Sequence, residues 1–143
     1  MKPSTLLRVA AVLSFLYFLG HSSGVPWTPS DGGATSTVLG LMKSYRFDVF
    51  GSERTYWDFY EGFGLTVSVF MLLEAVALWC LATLAVKEAH RLRPLVLAFL
   101  VANAAQLVLV VRFFFLLPLV LTAANTLCLA IALWSLRYAP TGP

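Results

Sequence analysis

The chain is poor in charge, in cysteine and in histidine. Charged residues make up 12% of its 143 residues, about half the share found in soluble domains, while 59% are hydrophobic. A soluble fold of this length would leave much of that apolar surface in water. The net charge is only +3 and the basic residues are not grouped, so nothing indicates a nucleic-acid partner. The composition predicts an integral membrane protein.

The sequence also lacks the motifs of common enzymes and cofactor proteins. It contains no HExxH, GxSxG, P-loop, GxGxxG or CxxCH motif. Cys80 and Cys128 lie inside apolar runs, without a second thiol or a histidine at metal-ligand spacing. The two histidines, His21 and His90, fall at opposite ends of the predicted helices and cannot ligate one haem. We therefore predict no cofactor and no metal, and we do not favour an enzyme.

Long apolar runs are what the sequence has most of. They predict four membrane spans in one domain over residues 1–143, at about 4–22, 55–86, 94–112 and 117–137. The expected fold is an all-α integral membrane four-helix bundle. The first run also has the outline of a secretory signal peptide, but no A-x-A-like cleavage site follows it. We expect it to be a retained span.

The polar segment at about residues 23–54 is expected to form an extramembrane loop. Its PWTPSDGG stretch contains turn residues that end a helix. In the following ATSTVLGLMKSYRF, apolar residues recur at helical spacing: Val38, Leu41, Met42 and Tyr45. We expect a short amphipathic helix on the bilayer surface, capped by Thr35 or Ser36. Ser52 is expected to cap the second span.

Basic residues predict the orientation. Six of the ten lie with the termini or in the turn between the second and third spans: Lys2, Arg8, Lys87, Arg91, Arg93 and Arg137. Since basic residues in short flanking segments favour the cytoplasmic side, both termini are predicted to be cytoplasmic. The expected location is the inner (plasma) membrane, crossed several times, with the loop facing outward.

Each predicted span carries a polar residue near its midpoint: Ser14, Glu74, Asn103 and Asn125. A carboxylate at mid-membrane costs ~2.5 kcal/mol or more, and lipid offers it no partner. We therefore expect Glu74 to face the bundle interior and to hydrogen-bond with Asn103, Asn125 or Gln106. These amides can serve either as links between helices or as ligand-binding groups. An ionisable group is not needed for packing, so Glu74 is predicted to be functional, and it is the one candidate if the protein is an enzyme.

The second span begins with aromatic and charged residues that fall on opposite sides of a helix. The aromatic side, which also carries Glu74, is predicted to line a ligand path: Tyr56, Tyr60, Phe63 and Phe70. Aromatic residues at this depth also serve as interfacial anchors, and both roles stay open. The other side is predicted to hold an ion-pair cluster: Arg54, Asp58 and Glu61.

The run RTYWDFYEGFG from Arg54 to Gly64, with MKSYRFDVFG before it, resembles a stretch typical of small uncharacterised bacterial four-span proteins. In layout these proteins are similar to the DoxX-like family. The resemblance implies a four-helix bundle in a bacterial membrane and supplies no catalytic residues. The layout is also similar to the emopamil-binding-protein type of membrane isomerase and to the small multidrug transporters.

The leading hypothesis is a protein that binds a small amphipathic or lipid-like ligand in a pocket within the bundle. The ligand would enter past the aromatic side of the second span and meet a polar floor of Glu74, Asn103, Asn125 and Gln106. One alternative is a proton-coupled small transporter or membrane isomerase that uses Glu74. Another is a structural subunit, with the small residues Gly62 and Gly64 packed against a second copy or a membrane-complex partner.

Overall fold

The computed structural model describes residues 2–24, 32–86 and 89–137. Pro26 to Asp31 of the predicted PWTPSDGG turn and the basic residue Lys87 lie outside the described residues. The elements follow in this order: α1 Pro3–Gly24, α2 Gly33–Ser44, β1 Arg46–Val49, β2 Ser52–Thr55, α3 Tyr56–Leu84, a 3₁₀ turn Ala89–Leu92, α4 Arg93–Phe113 and α5 Leu116–Ser135.

Four of these helices, α1, α3, α4 and α5, are long and apolar enough to cross a membrane. The shortest of them, α5, has 20 residues, which at about 1.5 Å per residue matches a hydrocarbon core of about 30 Å. Their bounds agree with the predicted spans to within a few residues. The predicted all-α membrane bundle is confirmed. The described residues form two compact units, one within Met1–Phe18 and Met71–Pro143, the other within Leu19–Phe70.

The first unit has an apolar core made of leucine and small residues. Its fully buried side chains come from α1, α3 and α5: Leu7, Ala10, Leu78, Ala82, Leu129 and Ala132. Val96 of α4 completes the cluster. The small side chains let helix backbones approach closely, which is how helices associate where lipid already solvates leucine. Successive helices run in opposite directions here, so the start of α1 meets the ends of α3 and α5.

The second unit contains a β-hairpin that the sequence did not predict. Strands β1 and β2 pair antiparallel, with Arg46 opposite Thr55 and Val49 opposite Ser52. A two-residue turn of Phe50 and Gly51 joins them, and both turn residues have positive φ. This geometry matches the twist of the strands, as expected for a type I′ hairpin.

Both predicted helix caps are wrong. Ser52 begins β2, and α3 is capped instead by Thr55. The Asp58 backbone N–H donates to Thr55 Oγ1 at 3.1 Å, while the Thr55 N–H donates to Asp58 Oδ2 at 2.7 Å. This reciprocal pair satisfies two backbone donors at the start of α3. Helix α2 has Gly32 at its N-cap without a side-chain cap, so neither Thr35 nor Ser36 caps it.

Replacing Phe50 by asparagine is expected to stabilise the hairpin. Phe50 is fully exposed and has a φ of 51°, a left-handed conformation that costs a non-glycine residue roughly 1–2 kcal/mol. Asparagine tolerates this region and is favoured at the first position of type I′ turns. Amide hydrogen exchange in Phe47 and Arg54 should slow by about fivefold, as expected for ~1 kcal/mol. Gly51→Ala is the matched control and should speed exchange, because Gly51 has a φ of 83°. If amide hydrogen exchange is unchanged in Phe50→Asn, the left-handed conformation of Phe50 does not destabilise the hairpin.

Candidate functional site

Four polar side chains, one from each long helix, form a single hydrogen-bonded chain inside the first unit. Asn125 Nδ2 donates to Ser14 Oγ at 3.0 Å and to Asn103 Oδ1 at 2.9 Å. Asn103 Nδ2 in turn donates to Glu74 Oε1 at 2.5 Å. We call Ser14, Glu74, Asn103 and Asn125 the polar layer. The predicted hydrogen bond between Glu74 and Asn103 is present, and the four groups meet as expected from their common depth.

A backbone carbonyl fixes the direction of this chain. Asn103 Nδ2 also donates to the carbonyl oxygen of Phe99, one turn earlier in α4, at 3.0 Å. Because a carbonyl can only accept, the Asn103 amide nitrogen must lie on that side and its oxygen must face Asn125. The nitrogen of Asn125 must then face that oxygen. The orientation of both amides therefore follows from one helix carbonyl.

Burial differs along the polar layer. Ser14, Asn103 and Asn125 are buried, each with 4% of its surface exposed, whereas Glu74 is partly exposed. The preceding residues of α3, Leu72 and Leu73, are exposed and apolar. Glu74 thus lies at the outer end of the chain of hydrogen bonds, with part of its surface exposed. This differs from a carboxyl group enclosed at the floor of a pocket.

Two buried oxygen atoms near the polar layer have no hydrogen-bond partner among the described residues. They are Thr122 Oγ1 and Asn125 Oδ1. Tyr17 of α1 lies close to Thr122 and Gln106. Gln106, which the sequence offered as a partner for Glu74, has no hydrogen bond with it in the described part of the chain. Further polar side chains, Tyr17, Thr122 and Gln106, therefore lie near the polar layer. Gln106 lies close to Tyr17 and is not bonded to Glu74 as predicted.

No basic side chain in the described part of the chain forms an ion pair with Glu74. Among residues 2–24, 32–86 and 89–137, Arg46 and Glu53 of the hairpin form an ion pair, with 3.6 Å between Arg46 Nη1 and Glu53 Oε2. Three arginines that could approach the membrane interior contact aromatic rings instead: Arg8 on Trp79, Arg112 on Phe113 and Arg137 on Trp134. The carboxyl group of Glu74 is held by an amide alone.

The predicted aromatic path is an open surface within the second unit. Tyr56, Tyr60 and Phe63 are 47–66% exposed, and Phe70 is similarly exposed. Tyr56 packs on Phe47 of the hairpin, with ring centroids 4.8 Å apart. The described residues of this unit leave these side chains largely uncovered, and the ligand path that they were expected to line stays a prediction. They stay candidates for contact with lipid or with an entering ligand.

The sequence missed the partners of these aromatic residues. Phe47 stacks on Phe59 at 5.9 Å, and Lys43 lies over the Trp57 ring at 4.3 Å. The hairpin brings Phe47 back to the start of α3, and that turn was not predicted. The two-residue Phe50–Gly51 connection between equal short segments was the available signal.

The predicted ion-pair cluster does not form as direct ion pairs among the described residues. Asp58 is engaged with Thr55, and an Arg54 guanidinium nitrogen donates to the carbonyl oxygen of Glu53 at 2.7 Å. Arg54 forms no ion pair with Asp58 or Glu61 in the described part of the chain. Local backbone groups lie within easier reach of these side chains than the predicted partners do, and surface ion pairs add little energy.

A second polar contact joins α1 and α3 within the second unit. His21 Nε2 lies 3.0 Å from the carbonyl oxygen of Gly64, and Ser22 Oγ donates to Ser68 Oγ at 3.0 Å. Gly64, which the sequence suggested for close helix packing, is thus contacted by α1. Gly62 has open space beside it. Nothing in the local pattern identified His21 as a partner of α3.

These features define a multi-pass helical membrane protein with a hydrogen-bonded polar layer linking its four long helices. Comparisons with models of known families, with curated proteins and with solved structures found no match to this chain. The resemblance to DoxX-like proteins stays a prediction.

Proposed function

We propose that this protein binds a small amphipathic or lipid-like molecule, with the polar head of that molecule at Glu74. The observation that carries the proposal is the position of this carboxyl group at the partly exposed end of the polar layer, without a cationic partner. Ser14, Asn103 and Asn125 would link three helices without it. An acid that is not needed for helix association, in a place where lipid cannot solvate it, indicates a functional role.

The surroundings of Glu74 suit an amphiphile. Its neighbours along α3, Leu72, Leu73 and Val76, are apolar and exposed. A ligand could therefore lay an apolar tail along α3 while its head group meets the carboxyl oxygen that Asn103 does not contact. The charge of Glu74 must be neutralised either by a proton or by such a head group, because hydrocarbon supplies neither.

The proposed setting is a bacterial inner membrane, with both termini cytoplasmic. The excess of basic residues beside the termini supports this orientation. The hairpin and α2 would then lie at the outer surface. The exposed apolar residues of α2, Val38 and Leu41, suit a helix that rests on the bilayer.

Glu74→Gln is the test. The full chain is purified in mild detergent from membranes, and the small molecules retained per mole of protein are quantified by mass spectrometry. We expect the variant to lose at least about tenfold of the retained ligand, since a charge-assisted hydrogen bond contributes ~1.5–3 kcal/mol. Glu61→Gln makes the same chemical change nearer the start of α3 and should retain the ligand. Equal retention in Glu74→Gln, at an unchanged melting temperature, would refute the proposal.

The two alternative functions predict different results for substitutions at Glu74 and Gly62. A proton-coupled transporter or membrane isomerase would lose flux or turnover in Glu74→Gln without holding a stable ligand. A structural subunit would instead be sensitive at Gly62, where open space leaves room for a partner helix. Gly62→Leu would then break the assembly while Glu74→Gln left it intact.

A further inference from the structure

The amide N–H groups of Asn103 and Asn125 are all occupied by hydrogen bonds, whereas some acceptor oxygens of the polar layer have no partner among the described residues. The two N–H bonds of Asn103 point to Glu74 Oε1 and to the carbonyl oxygen of Phe99. The two N–H bonds of Asn125 point to Ser14 Oγ and to Asn103 Oδ1. A primary amide has only two N–H donors. Neither asparagine can donate to a ligand without giving up a bond that links two helices or fixes its own orientation.

The atoms of the polar layer that keep hydrogen-bonding capacity are oxygens, and among them the Ser14 hydroxyl, which accepts from Asn125, can also donate. Asn125 Oδ1 is buried without a hydrogen-bond partner in the described part of the chain. Glu74 Oε2 has no partner there either, and its carboxyl group is partly exposed. Thr122 Oγ1 has no hydrogen bond within 3.5 Å in the described part of the chain, but the Tyr17 hydroxyl lies close to it, and the Thr122 hydroxyl can either donate or accept. When Glu74 is ionised, its remaining capacity is that of a negatively charged acceptor.

From this count, and resting on the proposed function, we infer that the head group bound at Glu74 is a cationic hydrogen-bond donor, a primary ammonium on a lipid-like tail. Such a group carries three N–H donors and the charge that Glu74 lacks among its neighbours. A ketone, an ether or a quinone carbonyl offers only acceptors, and it would find no free N–H on Asn103 or Asn125 and no proton on an ionised Glu74. A carboxylate or phosphate would meet Glu74 with the same sign of charge.

The other charged groups of the first unit do not replace such a ligand. Arg8, Arg112 and Arg137 lie over aromatic rings at 5.0–5.9 Å. None of the described basic side chains forms an ion pair with Glu74, and Asn103, which does contact it, is neutral. The selection of an ammonium over other head groups therefore depends on Glu74 itself.

The test uses four probes with similar chains: dodecylammonium, dodecanol, dodecanoate and 2-tridecanone. The full-length protein is placed in nanodiscs of zwitterionic lipid, and radiolabelled dodecylammonium binding is measured above that of empty nanodiscs, with the other probes as competitors. We expect dodecylammonium to bind at least about tenfold more tightly than dodecanol, because its hydrogen bond to Glu74 is charge-assisted. Dodecanoate and 2-tridecanone should not compete.

Two variants separate the head-group preference from a loss of folding. Glu74→Asp keeps the charge and should keep the preference, whereas Glu74→Gln should abolish it, each with the helical circular dichroism of the parent protein. If dodecanol, dodecanoate or the ketone binds as tightly as dodecylammonium and still depends on Glu74, the head-group inference fails and the proposed function stands. If neither these probes nor any co-purified molecule depends on Glu74, both fail.

Discussion

Asn103→Leu is expected to lower the free energy of unfolding in the membrane by about 2–3 kcal/mol, since two interhelical hydrogen bonds are lost and buried groups are left unpaired. Asn103 is the central member of the polar layer. It donates to Glu74 on α3 and accepts from Asn125 on α5. Leucine is close to asparagine in size, so the loss reports on polar contacts more than on packing. Reversible unfolding in mixed micelles measures it.

Thr83→Val is the matched control for this prediction. Thr83 is exposed, and its hydroxyl donates to the carbonyl oxygen of Trp79 in its own helix. Removing that bond should change stability by less than about 0.5 kcal/mol. A loss as small as this in Asn103→Leu would mean that the polar layer does not join the helices. Combining Asn103→Leu with Asn125→Leu should cost less than the sum of the two changes, because both act on one network.

The polar layer could be predicted from the sequence because two independent signals agree there. Hydropathy fixes the four spans, and the midpoint of each span then gives the depth of every residue in it. Antiparallel spans that cross the same bilayer bring equal depths to one level, which is why Ser14, Asn103 and Asn125 were expected to lie in one layer with Glu74. The hydrocarbon core contains no water to hydrogen-bond these side chains, so they must pair with one another. In soluble proteins water competes for such groups, and the same prediction often fails.

The segment before α3 could not be predicted in the same way. Its strands are four residues long; RFDV alternates polar and apolar residues, but SERT contains no apolar residue, so only one of the two strands shows the period. Phe50 also occupies a turn position at which asparagine or aspartate is the usual signal. In this polar segment water and local backbone groups compete for every side chain. Asp58 therefore caps α3 through Thr55, although helical spacing offered it Arg54.

The aromatic face of α3 shows a further limit of helical periodicity. Tyr56, Tyr60 and Phe63 do share a side of the helix, as spacing requires. Periodicity does not say which residues cover that side. In the described second unit, Tyr45 and Phe47 pack on Tyr56, at the start of the helix. A shared face is a local property, whereas coverage depends on chain segments distant in sequence. A pocket could therefore not be derived from the face alone.

Ala10→Leu should destabilise the first unit by about 2 kcal/mol, as overpacking in a filled core typically costs 1–3 kcal/mol. Ala10 has no exposed surface and lies in the core with Leu78 of α3 and Leu129 of α5. Lipid already solvates leucine in separated helices, so the larger side chain gains no hydrophobic free energy to offset the strain. Ala104→Leu, at an exposed position of α4, is the control and should be close to neutral.

This substitution also tests whether the core positions the polar layer. Ser14 lies one turn after Ala10 on the same face of α1, so an α1 pushed outward by the larger side chain would draw Ser14 away from Asn125. The bond from Asn125 would then already be weakened before Ser14 is changed. In a double-mutant cycle, Ser14→Ala should therefore cost less in the Ala10→Leu background than in the parent, by about 0.5–1 kcal/mol. Strict additivity would show that the apolar core and the polar layer stabilise the helices independently.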